Sequence, residues 1–243
     1  MDAMTQENLA PIREQVYKDP RPAEHFARFH ERSRTRDPDW VYEAVRIVTS
    51  LYAWIFFRAR AIGSEKVPAS GPVIIAPNHS SFMDHFFVGT AIRRKVRFMA
   101  KSQLFEPPMQ WIYTHGGVFP VRRGYSDEEA FATANSVLQR GGCIAMYSEG
   151  GRSRTGKLSD TVRRGIGRLA LESGATVVPV AIIGSSHVRN WKRGQFPRVH
   201  VYYGEPFAFE RVEAPTRDQE QATADAIFAQ VRKLYDTATK AGS

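Results

Sequence analysis

Two residues in the segment PNHSSFMDHFF (residues 77–87) have types and spacing that could do chemistry. His79 lies five residues before Asp84 and directly after a short apolar run. A carboxylate about one helical turn away can accept the proton of one imidazole nitrogen, which leaves the other nitrogen free to take a proton from a substrate hydroxyl. A helix start beside His79 would also keep the imidazole neutral. The segment therefore predicts a general base, His79, oriented by Asp84.

The same segment has a structural interpretation. Ser81 and Asp84 match the [ST]-x-x-[DE] capping box of helix starts, which would explain the aspartate without catalysis. His85 follows Asp84 directly and is expected to point away from the pair. The segment by itself favours the cap over the catalytic pair.

Two basic segments follow other apolar runs. GGVFPVRRG (residues 116–124) ends a strand with two arginines, and YSEGGRSRTG (residues 147–156) combines Glu149 with glycines and arginines. Arginine can hold a phosphate through paired N–H groups, and glycine lets the backbone approach a ligand. A basic strand edge without a ligand is the alternative. In a further segment, TVVPVAIIG (residues 176–184), a proline inside a strand run indicates an edge strand or a bulge.

In this order and spacing the four segments resemble the glycerolipid acyltransferase family, which includes 1-acyl-glycerol-3-phosphate and glycerol-3-phosphate acyltransferases. The resemblance covers roughly residues 60–210. The matching residues of the first, second and fourth segments are Asn78, His79 and Asp84; Phe119, Pro120 and Arg122; and Val177, Pro179, Val180 and Ile182. The third segment, F-P-E-G-T-R-S in the family, reads YSEGGRS, with Ser148 in place of Pro and Gly151 in place of Thr.

The resemblance implies a role for each matching residue. His79 would be the catalytic base and Asp84 its orienting acid, with backbone N–H groups near the helix start stabilising the oxyanion. Asn78, Phe119 and Pro179 would lie near the site. Glu149 is expected to orient the arginines. The residues expected around the substrate phosphate are Arg122, Glu149, Gly150 and Arg152.

The resemblance also implies the reaction. The expected function is transfer of a fatty acyl group from acyl-CoA or acyl-carrier protein to the free hydroxyl of a lysophospholipid acceptor, 1-acyl-glycerol-3-phosphate. Another acceptor, such as glycerol-3-phosphate, a different lysophospholipid or a glycolipid, is the alternative within the family. A non-catalytic basic protein that binds lipid or nucleic acid is the alternative from another class. No metal and no cofactor are expected, and the thioester donor is a co-substrate.

The elements that must position these residues follow from the hydrophobic pattern. Short apolar runs alternate with helical patterns from residue 71 onward, which is typical of an α/β domain with a mostly parallel sheet. Sites in such sheets form beyond the carboxyl ends of the strands. Helices are predicted for residues 84–93, 103–114, 126–139, 160–173 and 216–238. The prediction is a single glycerol-3-phosphate acyltransferase-like domain over residues 63–243, after a helical appendage over residues 1–62.

Residues 40–62 of this appendage have an amphipathic helical pattern. Their uncharged stretch, residues 47–57, is shorter than the roughly 20 apolar residues that span a bilayer. The helix is expected either to lie in a membrane interface or to pack on the domain.

The charge is concentrated in the central part of the chain. The net charge is +9, while residues 89–200 hold 18 Lys and Arg against 7 Asp and Glu. This excess predicts an anionic partner, here an anionic membrane surface. Nucleic acid is not expected, because no recognition motif is evident. The single Cys143 excludes an internal disulfide and fits a reducing compartment. The expected location is the cytoplasmic face of the cell membrane, as a peripheral or monotopic protein.

Overall fold

A seven-stranded, mostly parallel β-sheet is the centre of the molecule in a computed structural model, which describes residue 9 and residues 18–153 and 155–241. The strand order is β1-β7-β6-β2-β5-β3-β4, and β6 with β7 is the antiparallel pair. The sheet confirms the predicted α/β class. The strands are β1 (Arg60–Ile62), β2 (Val73–Pro77), β3 (Val96–Lys101), β4 (Val118–Val121), β5 (Cys143–Ala145), β6 (Thr176–Ile183) and β7 (His200–Tyr203).

Helices flank the sheet on both faces. In the described ranges the α-helices are α1 (Ala27–Thr35), α2 (Trp40–Phe57), α3 (Asp84–Thr90), α4 (Met109–His115), α5 (Glu128–Gln139), α6 (Gly165–Ser173) and α7 (Arg217–Ala241). Shorter 3₁₀ helices are Ala23–Phe26, Ser64–Lys66, Ser102–Leu104 and Ser185–Arg193.

Two apolar layers hold these helices on the sheet. Helices α2 and α3 pack on one face, where Phe57 is fully buried. Helices α5, α6 and α7 pack on the other face, where Leu169 is fully buried. Side chains of β2 alternate between the layers, with Ile75 in the first and Ile74 in the second. An unbroken apolar run such as VIIA is the pattern of a parallel strand covered on both faces.

The predicted N-terminal appendage is packed into the domain. Helix α2 ends at Phe57, and residues 60–62, predicted as helix, instead form β1, which pairs with β7. The domain boundary expected after residue 62 would therefore separate β1, a strand of the central sheet, from the rest of that sheet. The expectation that this segment packs on the domain is confirmed for the buried side of α2, whereas the other side exposes apolar residues and its place in a membrane interface stays a prediction.

Two predicted helices differ most from their expected ranges. Residues 103–114 are divided between a 3₁₀ helix that ends at Leu104 and α4, which begins at Met109. Pro107 and Pro108 lie between them, and proline has no N–H for helical hydrogen bonds. The helix predicted for residues 160–173 begins at Gly165.

Pro179 lies in an internal strand, so the expectation of an edge strand is wrong. It pairs with Ala76 of β2 on one side, and on the other side it accepts a hydrogen bond from Gly204 N at 2.8 Å. The register with the β7 side shifts by one residue between the pairs Val180–Tyr203 and Val177–Phe207. The bulge that was the alternative is therefore present.

Candidate active site

Most of the residues predicted for the site follow the carboxyl ends of neighbouring strands. The loop with His79 follows β2, the two arginines 122 and 123 follow β4, and the loop of residues 146–152 follows β5. Because β2, β5, β3 and β4 are adjacent and parallel, these loops meet at one edge of the sheet. The sheet topology therefore brings three of the four sequence segments together.

His79 and Asp84 form the predicted pair. His79 Nδ1 lies 2.9 Å from Asp84 Oδ2, and the two side chains are almost fully buried. The same Oδ2 accepts hydrogen bonds from the backbone N–H of Ser80 and Ser81 at 2.7 and 2.8 Å. Asp84 is thereby fixed by the loop and can hold the Nδ1–H tautomer of His79. No hydrogen bond to His79 Nε2 occurs within the described residues, so this nitrogen can serve as the base.

Half of the predicted capping box is present as well. Ser81 N donates to Asp84, but Ser81 Oγ accepts from Met83 N at 3.2 Å instead of completing the reciprocal bond to Asp84 N. Asn78 fixes the other end of the loop, because its side-chain amide exchanges two hydrogen bonds with the backbone of Ile182 in β6. Asp84 thus both begins the helix and contacts the histidine.

Tyr147 and His85 complete the surroundings of the base. The Tyr147 ring stacks on the His79 ring at 4.0 Å, and the His85 ring lies 5.8 Å from His79. Burial, the neighbouring His79 and the charges of Arg152 and Arg123 lower the pKa of His85 to about 3. The neutral His85 ring is hydrogen-bonded to the Tyr147 hydroxyl, with Nδ1 and the hydroxyl oxygen 3.3 Å apart. The expectation that His85 points away from the site is wrong.

Glu149 contacts the backbone and not the arginines. Its Oε1 accepts from His79 N at 2.7 Å and its Oε2 accepts from Ser159 N at 3.1 Å. It forms no ion pair in the described part of the chain, which corrects the expectation that it orients Arg152. Burial outweighs these hydrogen bonds and raises the pKa of Glu149 to about 7. Glu149 therefore connects the loop after β5 to the backbone of His79 by a hydrogen bond.

The raised pKa of Glu149 predicts a pH-dependent stability. Its folded-state pKa of about 7 exceeds the ordinary 4.5, so its stabilising contribution is complete below pH 4.5 and is lost as the pH rises to about 7. Relative to Glu149→Gln, which does not titrate, the wild type should lose up to about 3 kcal/mol of unfolding free energy over this range, from about 1.4 kcal/mol per pKa unit. Denaturant unfolding of both proteins at several pH values measures this difference, and parallel stability curves would contradict it.

Three cationic side chains interact electrostatically with the surroundings of the pair or with one another: Arg152 with Asp84, Arg123 with His85, and Lys101 with both arginines. Burial and the positive charges of Arg123 and Arg152 lower the pKa of Lys101, at the end of β3. Burial also lowers the pKa of Arg152, while the charge of Asp84 opposes this shift. The Lys101 ammonium and the Arg152 guanidinium have no hydrogen-bond or ion-pair partner among the described residues. An anion such as a phosphate would supply one.

Arg122 is directed elsewhere, which corrects its predicted place at the phosphate. Its Nη2 donates to Arg21 O at 2.9 Å, and its guanidinium lies 4.3 Å from the centre of the Tyr125 ring. Arg122 thus holds the N-terminal segment, whereas Arg123 acts electrostatically on His85 and Lys101. Lys101, Arg123 and Tyr147 were not among the predicted site residues; their positions at or just after strand ends were the available signal.

The surroundings of Phe119, Gly150 and Gly151 indicate packing and backbone conformation at these positions. Phe119 is fully buried in the apolar layer under α5, α6 and α7. Gly150 has a φ of 66°, and a Cβ there would lie 2.6 Å from Arg163 Cγ, so this position requires glycine. A Cβ at Gly151 would meet nothing within 4 Å, so the absence of the family's threonine leaves open space. Arg154, which was grouped with Arg152, is outside the described residues.

The backbone N–H groups expected to stabilise an oxyanion already have partners. His79 N donates to Glu149, and Ser80 N and Ser81 N both donate to Asp84. Met83 N donates to Ser81 Oγ. These N–H groups of the helix start are therefore not available to a substrate oxygen.

Comparison with known protein families supports the resemblance inferred from the four segments. The sequence model of the family described as "Acyltransferase" matches residues 58–183, just over half of the chain. The match contains His79, Asp84, Glu149 and Arg152. The predicted family resemblance is thereby confirmed.

Individual relatives are distant in sequence. A chloroplastic 1-acyl-sn-glycerol-3-phosphate acyltransferase of Arabidopsis thaliana is 25% identical over 147 residues, which cover 59% of this chain and 41% of that protein. The 1-acyl-sn-glycerol-3-phosphate acyltransferase of Bacillus subtilis (strain 168) is 24% identical over 199 residues, covering 79% and 93% of the two chains. The chain thus spans less than half the length of the Arabidopsis relative.

A solved structure has a similar fold. The 1-acyl-sn-glycerophosphate (LPA) acyltransferase PlsC from Thermotoga maritima matches with a TM-score of 0.63 and 22% identity, covering 87% of this chain and 88% of that chain. At this identity the likeness supports the fold of the chain.

Proposed function

The chain belongs to the Acyltransferase family, and we propose that it transfers a fatty acyl group from a thioester donor to the free hydroxyl of 1-acyl-glycerol-3-phosphate. The single observation that carries this proposal is the buried His79–Asp84 pair, with Nδ1 held at 2.9 Å from the carboxylate and Nε2 without a protein partner in the described residues. The product would be phosphatidic acid, an intermediate of phospholipid biosynthesis.

The proposed chemistry needs one base and no enzyme-bound acyl group. His79 Nε2 takes the proton of the acceptor hydroxyl as its oxygen forms a bond to the thioester carbonyl carbon. Asp84 stabilises the imidazolium that results. The tetrahedral intermediate then expels the thiolate, the carbon–sulfur bond breaks, and the thiol leaves with the proton that His79 held. Stacking on Tyr147 keeps the plane of the imidazole constant through both steps.

The acceptor phosphate is assigned to the three cations beside the pair. Lys101, Arg123 and Arg152 share one region of positive charge, since Arg123 and Arg152 both act electrostatically on His85 and on Lys101. A phosphate bound there would place the glycerol hydroxyl near His79. This assignment replaces Arg122 with Arg123 and adds Lys101 to the predicted Arg152, while Gly150 permits close approach of the loop.

An assay of purified protein tests the function. Palmitoyl-CoA or palmitoyl-carrier protein is mixed with 1-acyl-glycerol-3-phosphate, glycerol-3-phosphate or other lysophospholipids, and both thiol release and lipid product are measured. The expected result is thiol release that depends on 1-acyl-glycerol-3-phosphate and yields phosphatidic acid. Product with a different acceptor only would move the assignment to another member of the family. Thiol release that is independent of every acceptor would reject acyl transfer.

A peripheral position at the cytoplasmic face of the membrane is part of the proposal. Helix α2 exposes a row of large apolar side chains, and α4 adds two more beside it, since Trp40 of α2 and Trp111 of α4 lie 6.3 Å apart. No helix in the described residues combines the length and apolar character needed to cross a membrane. The exposed residues are Trp40, Ile47, Val48, Leu51, Trp54, Ile55, Phe56, Met109 and Trp111.

Charged substitutions on this face should release the protein from membranes. Leu51 and Trp54 are 53% and 69% exposed, so Leu51→Glu/Trp54→Glu leaves the buried side of α2 unchanged. Losing the burial of two such side chains should lower binding to anionic vesicles by about a hundredfold or more, at roughly 1.5–3 kcal/mol each. Co-sedimentation measures the bound fraction, with Ala226→Glu/Gln230→Glu on exposed positions of α7 as the control. Equal binding of the two double variants would reject this surface.

A further inference from the structure

Two adjoining cavities form one groove beside the active site. The larger, of about 640 Å³, lies between residues 155–160, the start of the 3₁₀ helix Ser185–Arg193 and the part of α7 that carries Arg232 and Tyr235. The smaller, of about 360 Å³, lies over Glu149, Gly150 and Arg152. The two share the wall formed by residues 155 and 157–160. Each volume is in the range of small-molecule sites.

The inner end of this groove is bonded to the proposed base. Ser153 N donates to His79 O at 2.8 Å, and Glu149 joins His79 N to Ser159 N. A ligand that lies along residues 149–153 of the smaller cavity therefore ends beside the backbone of His79. Gly151 lines the smaller cavity and leaves it open, because no side chain is present at this position.

The groove and the exposed apolar face of α2 belong to opposite sides of the sheet. Helix α2 packs with α3 in one apolar layer, while α7, which forms a wall of the larger cavity, packs in the other. A ligand from water can therefore enter the groove while a lipid acceptor approaches from the side of α2. This separation suits a reaction between one soluble substrate and one membrane substrate.

Positive charges along the groove favour an anionic ligand. Lys157 and Arg163 have no side-chain hydrogen bond or ion pair within the described ranges, and the stem of Arg163 crosses Gly150 at the smaller cavity. Arg232 also lines the groove and donates to Ser159 O at 3.1 Å. The acidic residues are Asp160, which lines both cavities, Asp236 in the larger and Glu149 in the smaller. Lys157 and Arg163 both line the smaller cavity, where together with Arg152 they outnumber its two acidic residues.

We propose that this groove binds the phosphopantetheine arm of the acyl donor, with the phosphate of the arm at Lys157 and Arg163 and the thioester beside His79. The arm is long, mostly uncharged and polar, and ends in a phosphate in both coenzyme A and acyl-carrier protein. The groove has matching features: the loop of Glu149 lies next to His79, where the thioester would be, and Lys157 and Arg163 would meet the phosphate. This inference rests on the proposed acyl transfer, since it names the donor part of that site.

The test separates donor binding from catalysis. Binding of coenzyme A, 4′-phosphopantetheine, pantetheine and holo-carrier protein is measured by calorimetry for the wild type and for Lys157→Ala/Arg163→Ala. Loss of two charge-assisted contacts should weaken binding of the three phosphate-bearing ligands at least about tenfold. Binding of pantetheine, which lacks the phosphate, should not change. Lys233→Ala/Lys240→Ala, on exposed positions of α7, removes the same charge outside the groove.

Kinetics provide the second readout. In the Lys157→Ala/Arg163→Ala variant the KM for palmitoyl-CoA should rise by a similar factor, while kcat and the KM for the lipid acceptor stay unchanged. A truncated donor such as palmitoyl-N-acetylcysteamine should react equally with both proteins. Unchanged phosphopantetheine binding would overturn the inference even if acyl transfer is found. If the wild type shows no transferase activity but the double variant still binds the phosphate-bearing ligands more weakly than the wild type, the proposed function is rejected and the site is retained.

Discussion

Replacement of His79 by alanine is expected to lower the rate of acyl transfer by roughly three orders of magnitude while the protein stays folded. A positioned general base contributes about 10²–10⁴-fold to a rate, and His79 Nε2 is the nitrogen available to the acceptor hydroxyl. The loop should survive, because its contacts to Glu149 and Ser153 use the backbone of residue 79 and not its ring. Asp84 also keeps its two backbone donors in this variant.

The measurement is kcat under saturating donor and acceptor, together with thermal unfolding and circular dichroism. His25→Ala provides a matched control, since His25 is an exposed histidine in the 3₁₀ helix Ala23–Phe26. This control should have wild-type activity. A folded His79→Ala protein with more than about a tenth of the wild-type kcat would remove His79 from the role of base.

The catalytic pair was predictable because its geometry is local. His79 and Asp84 belong to one short loop, and the hydrogen bonds of Asp84 to Ser80 and Ser81 span only four and three residues. A spacing in the sequence therefore translates directly into a distance. The contact of His79 N with Glu149 joins residues 70 positions apart, and only the order of the strands reveals it.

The phosphate site was less predictable because two adjacent arginines, Arg122 and Arg123, are both candidates for it. Arg122 directly follows β4 and Arg123 begins the turn after it, and the two side chains have different neighbours. Their order in the sequence does not indicate which of them faces the site. The choice depends on the N-terminal segment, since Arg21 O accepts a hydrogen bond from Arg122. Lys101 was missed for a related reason, because it belongs to no matching segment and reaches the site only through the pairing of β3 with β4 and β5.

The predicted elements that differ from the structure came from extending a local sequence pattern beyond the segment in which it holds. The apolar periodicity of residues 40–62 continues past Phe57, but Arg58 adopts a left-handed conformation and the chain then enters the sheet. Pro107 and Pro108 were a visible signal for the break in the helix expected at residues 103–114. The rule that proline marks an edge strand failed at Pro179, where an extra residue on the β7 side forms a bulge.

Substitution of Asp84 should separate catalysis from helix capping. In Asp84→Asn the amide oxygen can occupy the position of Oδ2 and keep its three donors, so the Nδ1–H tautomer of His79 is retained. The charge that stabilises the imidazolium is lost, and kcat should fall about 10²-fold or more. The amide NH₂ would lie at Oδ1, which is buried and has no partner among the described residues. That unpaired group should cost about 1–3 kcal/mol of unfolding free energy.

Two further variants isolate the contributions of the cap. Asp84→Ala leaves Ser80 N and Ser81 N unpaired in a buried loop, so it should lose both activity and several kcal/mol of stability, at about 1–3 kcal/mol for each donor. Ser81→Ala removes the acceptor of Met83 N alone and should cost about 1 kcal/mol with kcat unchanged. Denaturant unfolding and kcat are measured for all three proteins. Wild-type kcat in Asp84→Asn, combined with reduced stability, would mean that Asp84 only builds the loop and that His79 needs no carboxylate.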